Sequence, residues 1–277
     1  MQKRNIIITI AATVTAAAMA IIIFSVSMFS SGKGEKKPEA TTAATATSAP
    51  VTTAAAAKPS TAAATTAPKA TTAPATQQTT AAVGSKKQIS GFPLIGQLPE
   101  LPTGCEITSL AMTLNYCGYN ADKCDLADNY LTKGEFGKTD PRKAFIGDPR
   151  SDGNSRGCYA PVIVDTANRY LQAQGSGKTA SDLSGSALED LFAYIDNNTP
   201  VIVWGTMDCA TPQYTDTWQI DGQSIQWVRP EHCMVLIGYD DTQVTIADPY
   251  YGAVKSFDKA TFESCFNALY QQAVVIQ

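Results

Sequence analysis

Residues 34–87 of this 277-residue chain are built almost wholly from Thr, Ala, Pro and Ser, with Thr-Thr-Ala recurring, and this tract limits where a folded core can form. Such a composition cannot bury enough apolar surface to offset the entropy of ordering, so a disordered linker is expected over residues 32–87. Its prolines bias it toward an extended stalk of up to about 3.1 Å per residue. Ahead of it, Lys3 and Arg4 precede an uncharged run over residues 6–29. A hydrocarbon core of about 30 Å needs roughly 20 apolar residues, so the run is long enough to span a membrane. Positive charge before the span predicts the N-terminus inside and the rest of the chain outside. The run is longer than a signal-peptide core and ends without an Ala-x-Ala site, which favours an uncleaved signal anchor over residues 1–31. Only residues 88–277 have the composition of a globular domain, and their length fits one core.

From residue 85 onward the chain carries 14 Lys and Arg against 23 Asp and Glu. No basic nucleic-acid surface is expected from that balance. Apolar periodicity predicts helices from Cys105 to just before Gly118, over residues 160–174, from Ser186, and over residues 259–268. Runs over 201–204, 233–239, 244–247 and 273–276 read as strands, with a tight connection at 240–243. Helices come first and strands cluster late, which predicts an α+β domain with a mostly antiparallel sheet.

The chemistry concentrates at few residues. Thr103-Gly104-Cys105-Glu106 has the form of a capping box, which puts Cys105 in the first turn of a buried helix. A helix N-terminus and a nearby imidazolium both lower a thiol pKa and so favour the nucleophilic thiolate. His232 is the single histidine of the chain. It begins one strand while Asp248 ends the next, so a tight hairpin brings the two together, with Asp248 placed to orient the imidazole. Gln97 offers a side-chain amide to an oxyanion, beside the Cys105 N–H. With one histidine and no Cys-x-x-Cys pair among seven cysteines, no metal site or cofactor is expected. An odd cysteine count leaves at least one thiol unpaired, with up to three disulfides of unassigned pairing.

The string Gln97-Leu98-Pro99-Glu100-Leu101-Pro102-Thr103-Gly104-Cys105-Glu106, continued by Ile107-Thr108-Ser109-Leu110-Ala111-Met112, resembles the nucleophile motif of the bacteriocin-processing, double-glycine-leader cysteine peptidases. Later segments resemble that group in the same order: Phe145-Ile146-Gly147-Asp148-Pro149, Gly157-Cys158-Tyr159-Ala160-Pro161, Pro200-Val201-Ile202-Val203-Trp204, Glu231-His232-Cys233-Met234, and Asp248-Pro249. The resemblance implies a papain-like fold, with the nucleophile at the start of a buried helix packed on an antiparallel sheet. It implies Cys105 as nucleophile, His232 as base and Asp248 as orienter. In the leader-processing enzymes the glutamine and cysteine stand closer together, and an export ATPase is usually fused. Cleavage of double-glycine leaders therefore does not follow for this chain.

The expectation is a membrane-anchored, extracytoplasmic cysteine peptidase acting on a peptide or protein at the cell envelope. Acyl or peptidyl transfer on the same fold, and a non-catalytic surface-binding module, are the alternatives. Gly175-Ser176-Gly177-Lys178-Thr179 lacks the first glycine of a phosphate loop, because residue 172 is Gln172, and it follows a helix. Trp204, Trp218, Trp227 and Tyr159 are candidates for core or cleft. Residues 145–149 are candidates for a cleft wall, and Glu231 either biases the base or faces water.

Overall fold

The computed structural model describes residues 86–153 and 155–277. The anchor expected over 1–31 and nearly all of the linker expected over 32–87 lie outside the described residues. Among the described residues, no helix is long and apolar enough to cross a membrane.

In chain order the elements are β1 (Lys87–Gln88), α1 (Cys105–Tyr116), α2 (Lys123–Asp125), β2 (Lys133–Gly134), β3 (Phe145–Ile146), α3 (Ala160–Ala173), β4 (Ala180–Asp182) and α4 (Leu188–Asp196). They continue with β5 (Val201–Thr206), β6 (Gln213–Ile220), β7 (Gln223–Arg229), β8 (Glu231–Tyr239), β9 (Gln243–Asp248), β10 (Ala253–Asp258), α5 (Lys259–Ala268) and β11 (Ala273–Ile276). The main sheet runs β10-β9-β8-β5-β11-β4, with β1 added to β8, and every pairing in it is antiparallel. This is the α+β arrangement expected. β5 is buried at all six positions, so both of its faces are covered, as its unbroken apolar run requires. β10 alternates half-buried and exposed residues, the pattern of a strand at the rim.

α1 packs against β8 and β5 at the centre of the sheet. Its first ten residues are all buried, including Glu106, Thr108, Ser109 and Thr113. Buried hydroxyls need partners: Thr113 donates to the Ser109 carbonyl at 2.9 Å, and Ser109 donates to the Cys233 carbonyl of β8 at 3.3 Å. The second bond ties the helix to the strand that carries His232.

The capping expected at the start of α1 takes a different form. Gly104 is the N-cap and no side chain caps the helix. The Thr103 hydroxyl instead donates to the loop carbonyl of Ser151 at 3.0 Å, and the Thr103 N–H donates to the Pro149 carbonyl at 3.2 Å. Glu106 turns inward and accepts the Cys158 N–H, 52 residues away in sequence, at 2.7 Å. A non-local donor wins over the local cap because Glu106 is fully buried and needs a partner there. At α4 the cap shifts by one residue: Ala187 is the N-cap, and Asp190 accepts its N–H in place of the Ser186–Glu189 pair expected.

β6 and β7 form a separate hairpin that sequence periodicity did not single out. Its turn is Asp221-Gly222, with φ of 51° and 78°, a two-residue connection of the kind that Asp-Gly favours. The hairpin packs on the domain through a small cluster of Tyr159, Trp218, Ile225 and Trp227. Its far end runs through Pro230 directly into β8. Residues 145–149 do not line the cleft described below. Phe145 and Ile146 are fully buried and paired with β2, and Pro149 supports Thr103 from behind.

Candidate active site

β8 pairs with β5 so that His232 lies opposite Gly205 and Glu231 opposite Thr206. β9 pairs with the other side of β8 and ends at Asp248. The imidazole Nε2 and Asp248 Oδ1 are hydrogen-bonded at 2.8 Å, with both side chains 1% exposed. Oδ1 also accepts the Tyr250 N–H at 2.9 Å, which fixes the carboxylate from the chain itself. Since Nε2 is engaged, Nδ1 is the ring nitrogen left for a reacting group.

His232, Cys105 and Gln97 line one cleft of about 210 Å³, together with Thr103, Arg156, Trp227, Arg229, Glu231 and Tyr250 among others. The chain therefore brings all four sequence-predicted residues to one place, with Asp248 immediately behind His232. Gln97 reaches the cleft because the chain turns back through residues 98–100, with the Leu101 N–H bonded to the Gln97 carbonyl at 3.0 Å. The Gln97 backbone N–H is held by the Pro249 carbonyl at 2.7 Å, next to Asp248. One amide hydrogen of Gln97 is spent on the Pro102 carbonyl at 2.8 Å, which leaves its second for the cleft. No side chain caps α1, so the positive end of the helix is left without a side-chain acceptor where Cys105 lines the cleft.

Two carboxyls crowd the thiol. One ligand atom from each of Cys105, Glu106 and Glu231 lies within 4.8 Å of the other two. The thiol donates to Glu106 Oε2 at 3.3 Å. Glu231 Oε1 is buried without a hydrogen-bond partner among the described residues. Burial pushes the Glu106 carboxyl up from 4.5 to about 7. Burial and then the Glu106 charge push Glu231 well above the carboxylate range. Burial, followed by Glu106 and Glu231, also raises the Cys105 thiol well above its ordinary value. This reverses the lowering that a helix N-terminus alone predicts: burial first, and then the two carboxyls, oppose the helix end. A thiol and two carboxyls with raised affinity for protons suit a shared proton. Glu231 is thus half-buried, facing the thiol and Glu106 from the wall of the cleft.

Among the aromatic candidates, Trp204 is wholly buried and donates to the Cys158 carbonyl at 2.9 Å. Trp227 lines the cleft and stacks on Tyr159 at 5.2 Å between centroids. All seven cysteines are free thiols, so none of the bridges left open by the sequence is formed. A larger cavity of about 560 Å³ beneath the hairpin contains none of the predicted site residues.

The model of the Peptidase_C39 like family matches residues 89–274, a span that holds every residue of this cleft. The chain belongs to the Peptidase_C39 like family. It is 34% identical over 209 residues to the uncharacterized protein YvpB of Bacillus subtilis (strain 168), covering 71% of this chain and 81% of that protein. It is also similar to the crystal structure of a presumptive C39-like peptidase from Bacillus anthracis, with a TM-score of 0.63 and 32% identity, over 70% of this chain and 98% of that one. Membership and shared architecture establish the papain-like cysteine peptidase fold, with Cys105 at the start of a buried helix packed on an antiparallel sheet.

Proposed function

We propose that this chain is a thiol-dependent amide hydrolase, a cysteine peptidase working through Cys105, His232 and Asp248. The observation that carries the reading is the convergence of the chain's single histidine and Cys105 on one cleft, with the imidazole held by Asp248 at 2.8 Å. In the reaction, Cys105 passes its proton to His232 Nδ1 and its sulfur attacks the scissile carbonyl. The Cys105 N–H and the free hydrogen of the Gln97 amide receive the oxyanion. His232 then protonates the leaving amine, and water activated by the same imidazole releases the acid. Asp248 holds the imidazole through Nε2, leaves Nδ1 free for the thiol proton, and stabilises the imidazolium.

In the same reading, residues 1–31 hold the domain at the outer face of a membrane, with 32–87 as the stalk. The supports are Lys3 and Arg4 ahead of the uncharged run and the composition of the tract after it. The substrate is then a peptide or protein at the envelope.

The test is hydrolysis of a peptide library by the purified domain and by its Cys105→Ala and His232→Ala variants. Each variant is expected to lose about a thousandfold or more in kcat/KM. Full activity in either one refutes the assignment.

A further inference from the structure

Two guanidinium groups open onto the same cleft. Arg156 and Arg229 line it alongside Cys105 and His232. Arg156 Nε donates to Asp216 Oδ2 at 2.9 Å, and Arg229 donates to that same oxygen through Nη2 at 3.0 Å and Nε at 3.3 Å. Two positive charges therefore meet one negative charge: Asp216 and Arg229 both belong to the hairpin, and Arg156 reaches Asp216 from the loop before α3. A guanidinium has five N–H donors, so most of the hydrogens on each group remain uncommitted. Arg156 spends one further contact on the Ser155 carbonyl at 3.4 Å. Its plane is set by the Phe136 ring, 4.6 Å from the guanidinium carbon. Arg229 is more accessible, with 43% of its side chain exposed against 16% for Arg156.

The other acid in the cleft, Glu231, does not offset this charge. It sits in the Cys105–Glu106 cluster, and burial beside Glu106 favours its neutral form. The domain as a whole is acidic, so a local positive excess beside the reacting thiol stands out against it. Planar guanidinium forks match a carboxylate in geometry as well as charge.

We propose that Arg156 and Arg229 make the cleft selective for substrates that place a carboxylate next to the bond at Cys105. The selectivity rests on the peptidase reading above. The carboxylate comes either from an Asp or Glu side chain or from a free peptide C-terminus.

The experiment uses paired peptides: Glu against Gln at each position around the cleaved bond, and free-acid against amide C-termini. Turnover is measured with the wild-type domain, and binding with Cys105→Ala. The acidic member of at least one pair is expected to have roughly tenfold higher kcat/KM or affinity, since a hydrogen bond to a charged group is worth about that ratio or more. The ratio should shrink with added salt. It should fall toward one in Arg229→Gln, stay low in Arg229→Lys, and rise in Asp216→Asn, which frees both guanidiniums. The side-chain and C-terminal pairs report separately on the source of the carboxylate. Ratios near one in every wild-type pair overturn the inference, as does a ratio unmoved by all three variants. If nothing is cleaved but Cys105→Ala still prefers acidic peptides, the carboxylate site stands and the peptidase reading falls.

Discussion

Replacing Glu106 by Gln removes one charge from beside the thiol while keeping an oxygen for the Cys158 N–H. The thiol sulfur and Glu106 Oε2 lie 3.3 Å apart. A unit charge at that distance, in an effective dielectric of about 20, is worth about 5 kcal/mol, or at most about 3.7 pH units on the thiol. In the wild type Glu106 gives up its proton at about 7, so the thiol meets this charge as the pH rises past neutrality. The charge disfavours thiolate, and so delays alkylation to higher pH. In Glu106→Gln it never develops. Iodoacetamide labelling across a pH series, followed by mass spectrometry of the Cys105 peptide, should show the profile moved to lower pH by up to about 3.7 units. The separation between variant and wild type should be largest above pH 7. Coincident profiles in a variant that melts like the wild type would falsify the role given to the carboxyl pair.

The same group makes stability depend on pH. Its folded pKa is raised from 4.5 to about 7, so the folded chain keeps a proton that the unfolded chain releases. The contribution is fully present below about pH 4.5 and is lost as pH rises to about 7, at most about 3 kcal/mol. Denaturant melts of Glu106→Gln should lack this decline relative to the wild type. Gln97→Ala is expected to cut kcat by about a hundredfold or more with little change in KM, read by steady-state kinetics. Gly157 has φ of +120°, and a Cβ there would lie 2.3 Å from Glu106 Oε1. Gly157→Ala should therefore cost roughly 2 kcal/mol in a thermal melt and alter the pH profile of Cys105 labelling.

Much of this site was legible in the sequence because its elements are local. The spans of α3 and α5 match those read from the sequence, 160–174 and 259–268, within a residue. His232 and Asp248 could be joined on paper because a short turn fixes which ends of two strands meet. What escaped is set by distant partners. A Glu three residues after a Thr reads as a cap, and only the Cys158 N–H reveals that Glu106 turns inward. Glu231 lies beside the histidine in sequence, yet nothing local says that it faces a second buried carboxyl. The β6–β7 hairpin did carry a local signal, Asp221-Gly222 between strands with Trp218, Ile225 and Trp227, but its long polar stretches masked the alternation.

That hairpin stands beside the main sheet, packed on the domain through one aromatic cluster and tied to it by Arg156 on Asp216 and by Trp218 on the Thr139 carbonyl. The groups that would break and form bonds stand instead on α1, β8 and β9, inside a continuous ladder. Under the carboxylate proposal, Asp216 and Arg229 of the grip thus stand on the hairpin and Arg156 on the loop before α3, apart from the elements that carry the chemistry. Substitutions within residues 213–229 would then change part of what is gripped, while the helix and strands that hold the reacting groups keep their pairing.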